Sequence, residues 1–143
     1  MKMRFRFEKL EVWQDARKTS GSVYRLTQKF PGHEMFGMTS QLRRAAVSIS
    51  SNIAEGSGRN SDKDFAHFLE QAYGSLMEVV SILFLARDEN YVIQTQLDTL
   101  LDELEMLARR IAALNRSLEV KTSKTPFMRR NGNALDPRPS TLD

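Results

Sequence analysis

Four stretches of the chain repeat apolar residues at three- and four-residue steps, and this repeat limits the fold more than any other feature. The clearest stretch runs from Leu97 to Leu118 and consists mainly of leucine at the repeated positions. The step matches the 3.6 residues of one α-helical turn, so the apolar side chains share one face. The sequence therefore predicts an all-α protein with helices at about 8–29, 36–55, 61–89 and 96–118.

The breaks between these stretches are short, which predicts an antiparallel up-down four-helix bundle. Phe30-Pro31-Gly32 ends the first helix because proline cannot continue its backbone hydrogen bonds. Gly56 is expected just past the end of the second helix, in the left-handed conformation that glycine adopts readily. Ser61, with Asp64 three residues on, is the expected N-cap of the third helix, and Thr95 that of the fourth.

The chain has 143 residues, the size of one domain. We assign residues 1–119 to the bundle. Residues 120–143 contain three of the four prolines and no apolar repeat. They are predicted to form a flexible basic C-terminal tail.

The third helix is apolar on most of its sides. One row, which includes Leu69, Leu76 and Leu83, has the spacing of a core face. A helix with a second apolar row needs more than one neighbour, either in the centre of a protein or between subunits. The candidate oligomer-interface residues are therefore those of the second row: Tyr73, Met77, Phe84 and Leu85.

Charge is distributed unevenly along the chain. Residues 1–63 hold 12 basic and 6 acidic side chains, residues 64–105 hold one against nine, and residues 106–143 hold eight against three. This pattern fits a protein with a surface that faces a polyanion. It also fits an oligomer in which complementary halves pair with each other.

Several classes of chemistry find no support in the sequence. There is no cysteine, and His33 and His67 lie outside any HExxH pattern, so we expect no metal site, no cofactor and no catalysis. The basic start of the chain lacks the apolar core of a signal peptide, and the longest apolar stretch looks too short to cross a bilayer. We expect a cytoplasmic protein without a membrane partner.

Basic side chains recur at spacings that suit phosphate binding. Lys18, Arg25 and Lys29 are seven and four residues apart on the first helix. No exposed aromatic platform for base stacking is expected, so contacts should be to phosphates and to shape. The candidate nucleic-acid-binding residues are Lys18, Arg25, Lys29, Arg43, Arg44, Arg59 and Lys63.

The segment Gly56–Ser61 has two interpretations. Its glycines and Arg59 stand before a helix N-terminus, where backbone N–H groups can bind a phosphate. The alternative is a helix end, a turn and an N-cap without any ligand. The lysine and the preceding strand of a nucleotide-binding P-loop are missing. A nucleotide is therefore disfavoured, and a nucleic-acid phosphate stays open.

Four blocks carry a family resemblance. They are FEKLEVWQ from Phe7, FGMTSQLRRAAVSI from Phe36, SNIAEG from Ser51, and the pattern of Asp64, Phe65, Phe68, Leu69, Ala72, Gly74, Ser75, Leu76 and Glu78. Over about residues 5–118 the chain resembles the four-helix-bundle proteins encoded in intervening sequences of bacterial 23S ribosomal RNA genes. That family is related to the accessory variability (Avd) proteins of diversity-generating retroelements.

The resemblance implies a homopentameric barrel of bundles with a basic surface that binds nucleic acid. In the retroelement branch it also implies docking to a reverse transcriptase. Arg43, Arg44 and Arg59 fall near or within the matched blocks, whose signature residues Asn52 and Glu55 suit a structural or a functional role equally. The chain departs from the family pattern at Ser50, where proline is usual, and at Asn90, where glycine is usual.

The sequence thus predicts a non-catalytic, oligomeric nucleic-acid-binding accessory protein. Its expected partners are further copies of itself, structured RNA, DNA and a retroelement reverse transcriptase. The alternative is a protein-interaction scaffold that does not bind nucleic acid directly.

Overall fold

Four α-helices make up most of the computed structural model, which describes the backbone of residues 2–133 and the side chains of residues 2–119. Within that range there are no strands, so the all-α prediction is confirmed. Short 3₁₀ turns precede the first and second helices, at Arg6–Lys9 and Gly32–Glu34. The helices are α1 (Glu11–Thr27), α2 (Met38–Ser57), α3 (Asp62–Asp88) and α4 (Gln94–Asn133).

Neighbouring helices run antiparallel. Between α1 and α2, Arg43 contacts Thr27 while Ala46, further along α2, contacts the earlier residue Ser20. Each helix packs on two others, in the closed order α1–α2–α3–α4–α1, and the contact between α2 and α3 is the most extensive. This is the arrangement of an up-down bundle with short connections.

The seam between α1 and α4 closes the bundle. Asp15 of α1 pairs with Arg110 of α4, and Ser22 donates to the Glu103 carboxylate over 3.4 Å. Between the four helices lies a core of fully buried side chains: Leu42, Ile49, Ile53, Leu69, Leu76, Leu83, Leu97, Leu104, Leu107 and Ile111. By length and composition alone α3 could also cross a bilayer, contrary to the sequence-based expectation, but its inward row packs in this core.

Two helix ends differ from the prediction by three residues or more, and the others lie within two residues of it. The first helix begins at Glu11, because Leu10 is extended and separates it from the 3₁₀ turn before it. The fourth continues to Asn133 rather than ending near Leu118. The apolar repeat shows where burial ends, whereas a helix needs only its backbone hydrogen bonds to continue. The predicted flexibility of the tail falls partly on residues 134–143, outside the described range.

The prediction for Gly56 is wrong. Gly56 lies inside α2, is buried, and does not adopt a positive φ. A Cβ atom at this position would lie 2.7 Å from the Cβ of Phe68 and 2.9 Å from a ring carbon of Phe65. Glycine is therefore needed because α2 and α3 approach closely here. The left-handed residue is Asn90, with a φ of 64°, at the position where the family usually has glycine.

The predicted caps have different outcomes. The Ser61 hydroxyl accepts the backbone N–H of Asp64 over 3.1 Å, which confirms the N-cap of α3. Thr95 is not the cap of α4, since the helix already begins at Gln94. Instead the Gln96 side chain reaches back to the backbone N–H of Ile93 over 3.1 Å, which is one half of a capping box.

Candidate nucleic-acid interface

The three candidate residues of α1 are exposed along the outside of that helix. Arg25 and Lys29 line a groove between α1 and α4, together with Ser22 and Glu103. The Glu103 carboxylate offsets part of their positive charge at this edge. Lys18 lies on the same stripe of α1, closer to the middle of the helix.

Arg43 is half-buried and helps to hold α1 against α2. Its Nε donates to the Thr27 hydroxyl over 2.8 Å, and its guanidinium carbon lies 4.6 Å from the centre of the Tyr24 ring. A guanidinium has five N–H donors, so this arrangement leaves the terminal ones free for a phosphate. Arg43 thus combines a structural contact with an available binding edge.

Arg44 lies one residue further on, and the surroundings of its side chain differ from those of Arg43. Its side chain is exposed, and no residue among those described with side chains makes a hydrogen bond or an ion pair with it. An exposed guanidinium without an internal partner loses no existing contact when it binds an anion. Lys18, Lys29 and Lys63 share this property, and Arg44 is the one arginine among the seven candidates that has it.

Arg59 and Lys63 lie at the opposite end of the bundle from Arg43. Fourteen residues of α2 separate Arg43 from Ser57, which corresponds to about 21 Å at the helical rise. Arg59 is already paired with Glu55 over 2.9 Å, and its guanidinium carbon lies 4.6 Å from the Phe68 ring centre. The seven predicted residues therefore lie in separate groups and do not form a single patch.

As far as Arg59, the segment Gly56–Ser61 uses its backbone donors internally. The N–H groups of Gly58 and Arg59 bond to carbonyls of the last turn of α2, and that of Asp64 bonds to Ser61. These are the contacts of a helix end, a turn and an N-cap. The geometry favours the interpretation without a ligand, and the role of Arg59 rests on its side chain alone.

Acidic side chains lie on the other pair of helices. Exposed carboxylates on α3 and α4 include Glu78, Asp88, Asp98, Asp102 and Glu105. These carboxylates belong to α3 and the first part of α4, whereas α1 and α2 carry more basic than acidic side chains and the later part of α4 is basic again, with Arg109, Arg110 and Arg116. We call α1 and α2 the basic helix pair and α3 and α4 the acidic helix pair. The segregation seen along the sequence therefore separates α1 and α2 from α3 and the first part of α4.

The four candidate interface residues are exposed in the single chain, with between 39% and 51% of each side chain accessible. Tyr73 and Met77 line a groove of about 620 Å³ between α3 and α4, opposite Ala108 and Ala112. Tyr73, Met77 and Phe84 share one side of α3, while Leu85 lies further round the helix. They form an apolar surface on the acidic helix pair.

Polar groups at other sites tie the helices together. Asn52 donates to both the backbone carbonyl and the hydroxyl of Ser48, and that hydroxyl lies 2.8 Å from the hydroxyl of Ser75 on α3. At the opposite end, Tyr91 donates to the Glu34 carboxylate over 3.0 Å. These contacts give Asn52 a structural role in the packing of α2 on α3.

Glu34 is one of the described groups whose pKa is shifted. The backbone N–H of Met38 and then the Tyr91 hydroxyl stabilise its carboxylate and hold its pKa below the ordinary value. The same contact raises the pKa of Tyr91. Among residues 2–119 no group of three or more potential metal ligands lies close together. The hydrogen bond between Glu34 and Tyr91 therefore joins the α1–α2 connection to the α3–α4 connection.

Sequence reasoning missed an aromatic surface before α1. Phe5 is 62% exposed, and its ring is stacked on that of Phe7, which in turn lies against Trp13. This arrangement contradicts the expectation that no exposed aromatic platform exists. The alternation of aromatic and basic residues before Glu8 was its only signal, and the folded conformation of the segment could not be read from it.

Comparison with known proteins identifies the relatives of this bundle. The family model described as "23S rRNA-intervening sequence protein" matches residues 8–113. The chain belongs to this family. The match confirms the resemblance drawn from the four sequence blocks. No curated protein matches the chain.

A solved structure supports the fold of this 23S rRNA-intervening sequence protein. It is a protein of unknown function from the S23 ribosomal protein family of Bacteroides thetaiotaomicron VPI-5482. The two are 20% identical with a TM-score of 0.68, and the similarity covers 73% of this chain and 97% of the other. At this identity the likeness concerns the fold.

Proposed function

We propose that this member of the 23S rRNA-intervening sequence protein family is a non-catalytic accessory protein that binds structured RNA, or RNA and DNA, as an oligomer. The observation that carries the proposal is the division of the bundle into a basic and an acidic helix pair. Arg44 and the stripe of Lys18, Arg25 and Lys29 present cations outward on the basic pair. A surface of this kind attracts the phosphate backbone.

Binding through phosphates has a measurable signature. Each neutralised phosphate releases counterions, so the logarithm of the affinity falls with the logarithm of the salt concentration, by about 0.9 per contact for a duplex. Four contacts would give a slope of about −4. Removing one contact should lower the steepness by about one unit, whatever the sequence of the nucleic acid.

The oligomer of this proposal is a homopentamer. It is supported by the exposed apolar side chains Tyr73, Met77, Phe84 and Leu85, which would be covered by a neighbouring subunit. In a cyclic oligomer with an odd number of subunits, each contact joins two different surfaces, and a rotation that closes makes a ring. The resemblance to the accessory variability proteins supports a retroelement reverse transcriptase as a further partner.

The test is the binding of purified protein to a structured RNA and to duplex DNA across a salt series, with the mass in solution recorded in parallel. Arg44→Ala should weaken binding and reduce the salt slope. Arg109→Ala is the control, because Arg109 is an exposed arginine of α4 whose guanidinium is already paired with Glu105 over 3.0 Å. It should leave the affinity within about twofold.

Two results would contradict the proposal. One is the absence of binding to either nucleic acid at low salt by a correctly assembled protein. The other is an equal loss of affinity in the Arg44 and Arg109 variants, because the basic helix pair would then have no special role. A mass other than that of a pentamer would contradict the proposed assembly while leaving nucleic-acid binding intact.

A second candidate function is a protein-interaction scaffold without direct nucleic-acid binding. Two features favour it. The apolar side chains on the acidic helix pair offer a surface that a protein partner can cover, and the basic and acidic helix pairs of different subunits have complementary charge. In that case Arg44→Glu should change the mass of the protein in solution. In the nucleic-acid-binding case the same variant should keep its mass and lose its RNA.

A further inference from the structure

Two rings before α1 and one ring in its first turn form a continuous aromatic row, which we call the N-terminal aromatic row: Phe5, Phe7 and Trp13. The rings of Phe5 and Phe7 are nearly parallel, with an interplanar angle of 4° and centres 6.1 Å apart. Trp13 lies edge-on to Phe7 at 4.8 Å, and the Arg17 guanidinium lies 5.5 Å from the Trp13 ring. Phe5 is the exposed outer member of the row.

Hydrogen bonds fix the backbone that carries Phe5. One carboxylate oxygen of Glu8 accepts the N–H groups of Arg4 and Phe5, over 3.1 and 2.8 Å. The Gln14 side chain donates to the Glu8 carbonyl over 2.7 Å. Arg6 donates to the carbonyl of Ser57 over 2.9 Å and so ties the segment to the end of α2. The exposed ring is therefore held in place before any ligand arrives, which lowers the entropic cost of binding.

Basic residues flank the row along the chain. Lys2, Arg4, Arg6 and Lys9 are all exposed and lie next to or within four residues of Phe5 in the chain. Arg17 lies at the other end of the row. The nearby carboxylate of Glu8 is already engaged by the backbone. An exposed ring among basic side chains matches the way in which proteins bind single-stranded nucleic acids, with bases on the rings and phosphates on the cations.

We propose that the N-terminal aromatic row is a stacking platform for an unpaired base of a single-stranded RNA or DNA segment. The base stacks on the free side of Phe5 and extends the row, and Arg4 and Lys2 bind the adjoining phosphates. The inference rests on the proposed nucleic-acid binding and specifies its ligand. A base inside a duplex is stacked on both sides, so the platform selects loops, bulges and single-stranded ends.

A protein partner fits the row less well than a base. Its surroundings are basic rather than apolar, and it lies outside the apolar surface on α3 and α4. Phe36, which is 97% exposed beside the exposed Met35, has the environment expected of a contact to protein. Phe36 precedes α2, whereas Phe5 lies near its far end, so the two rings are about 30 Å apart along the bundle.

The experiment compares two single-stranded oligonucleotides of equal length, one with all its bases and one with abasic sites at the same phosphates. Stacking on an aromatic side chain contributes about 1–3 kcal/mol per base, so Phe5→Ala should weaken binding of the first oligonucleotide about 5- to 140-fold. Binding of the abasic oligonucleotide and of a duplex should change less than about twofold. The salt slope should stay the same, because no phosphate contact is removed.

Two variants serve as controls. Phe5→Trp should preserve or increase the affinity, because a larger ring stacks as well. Phe36→Ala removes an equally large exposed ring at the other end of the bundle and should have no effect. The fluorescence of a 2-aminopurine in the strand should be quenched by the original protein and recover with Phe5→Ala.

The outcomes separate this inference from the proposed function. If duplex and single strand both bind and neither Phe5→Ala nor the abasic sites matter, the platform is refuted while nucleic-acid binding stands. If no nucleic acid binds, both are refuted. If Phe5→Ala changes the mass of the assembly, the row belongs to a subunit contact and the platform is refuted.

Discussion

Gly56 offers the sharpest test of the packing between α2 and α3. In Gly56→Ala the new methyl group would lie 2.7 Å from the Cβ of Phe68 and 2.9 Å from a ring carbon of Phe65. The Cβ of Phe68 is fixed to its backbone and cannot rotate away. The variant must therefore separate two helices that share the most extensive contact in the bundle.

Two opposing effects set the magnitude. Overpacking of a close contact costs about 1–3 kcal/mol, and two contacts this short place the cost in the upper half of that range. Alanine gains up to about 1 kcal/mol over glycine in a helix. The free energy of unfolding should therefore fall by about 1–2 kcal/mol. Gly74→Ala, where nothing lies within 4 Å of the new Cβ, should instead raise it by up to about 1 kcal/mol.

The assay is urea unfolding followed by circular dichroism, for the original protein and both variants. It should cover a tenfold range of protein concentration, because association contributes to the stability of an oligomer. We expect the free energy of unfolding to fall in Gly56→Ala and to rise in Gly74→Ala, although the substitution is the same. A Gly56→Ala protein as stable as the original would refute the close approach of α2 and α3.

Three further predictions concern single side chains. Asn90→Ala should lower the free energy of unfolding by about 1 kcal/mol, and Asn90→Gly should keep or raise it, because the backbone there is left-handed; thermal unfolding of the pair checks this. Arg43→Ala should cost about 1–2 kcal/mol through its lost hydrogen bond and ring contact, whereas Arg44→Ala should stay within about 0.5 kcal/mol of the original in urea unfolding. The pKa of Glu34 is lower in the folded protein than its ordinary value of 4.5. The ionised carboxylate therefore contributes fully to the stability of the fold above pH 4.5, and this contribution is lost as the pH falls through the lower pKa of the folded state. Melting temperatures of the original protein and Glu34→Gln should therefore converge in acid, and equal differences at all pH values would contradict this.

Most of the bundle could be predicted because burial leaves a periodic trace. The leucine rows of α3 and α4 lie in the core as their spacing indicated. In α1 the trace is weaker, since its interior positions include Thr19 and Thr27 while Tyr24 is 43% exposed. Hydrophobicity alone does not reveal that these threonines are buried, or that Tyr24 stays exposed and its ring contacts the Arg43 guanidinium.

The candidate site was less predictable because it depends on contacts between helices. Arg43 and Arg44 are neighbours in the sequence, yet one is packed on Tyr24 and the other is exposed. Gly56 looked like a helix end because the need for a small residue comes from Phe68 on another helix. The N-terminal aromatic row depends on the backbone bonds to Glu8, which a residue pattern does not reveal.

The connections also determine the order in which the chain assembles. Only Gly58 to Ser61 separate α2 from α3, so this hairpin forms at little entropic cost. The contact of Asp15 with Arg110 must instead close a loop of 95 residues. We expect the α2–α3 hairpin to nucleate folding and the α1–α4 seam to form last, so that α1 exchanges its amide hydrogens first in the native protein. During synthesis on the ribosome, the packing of α1 would therefore stay incomplete until α4 has been made.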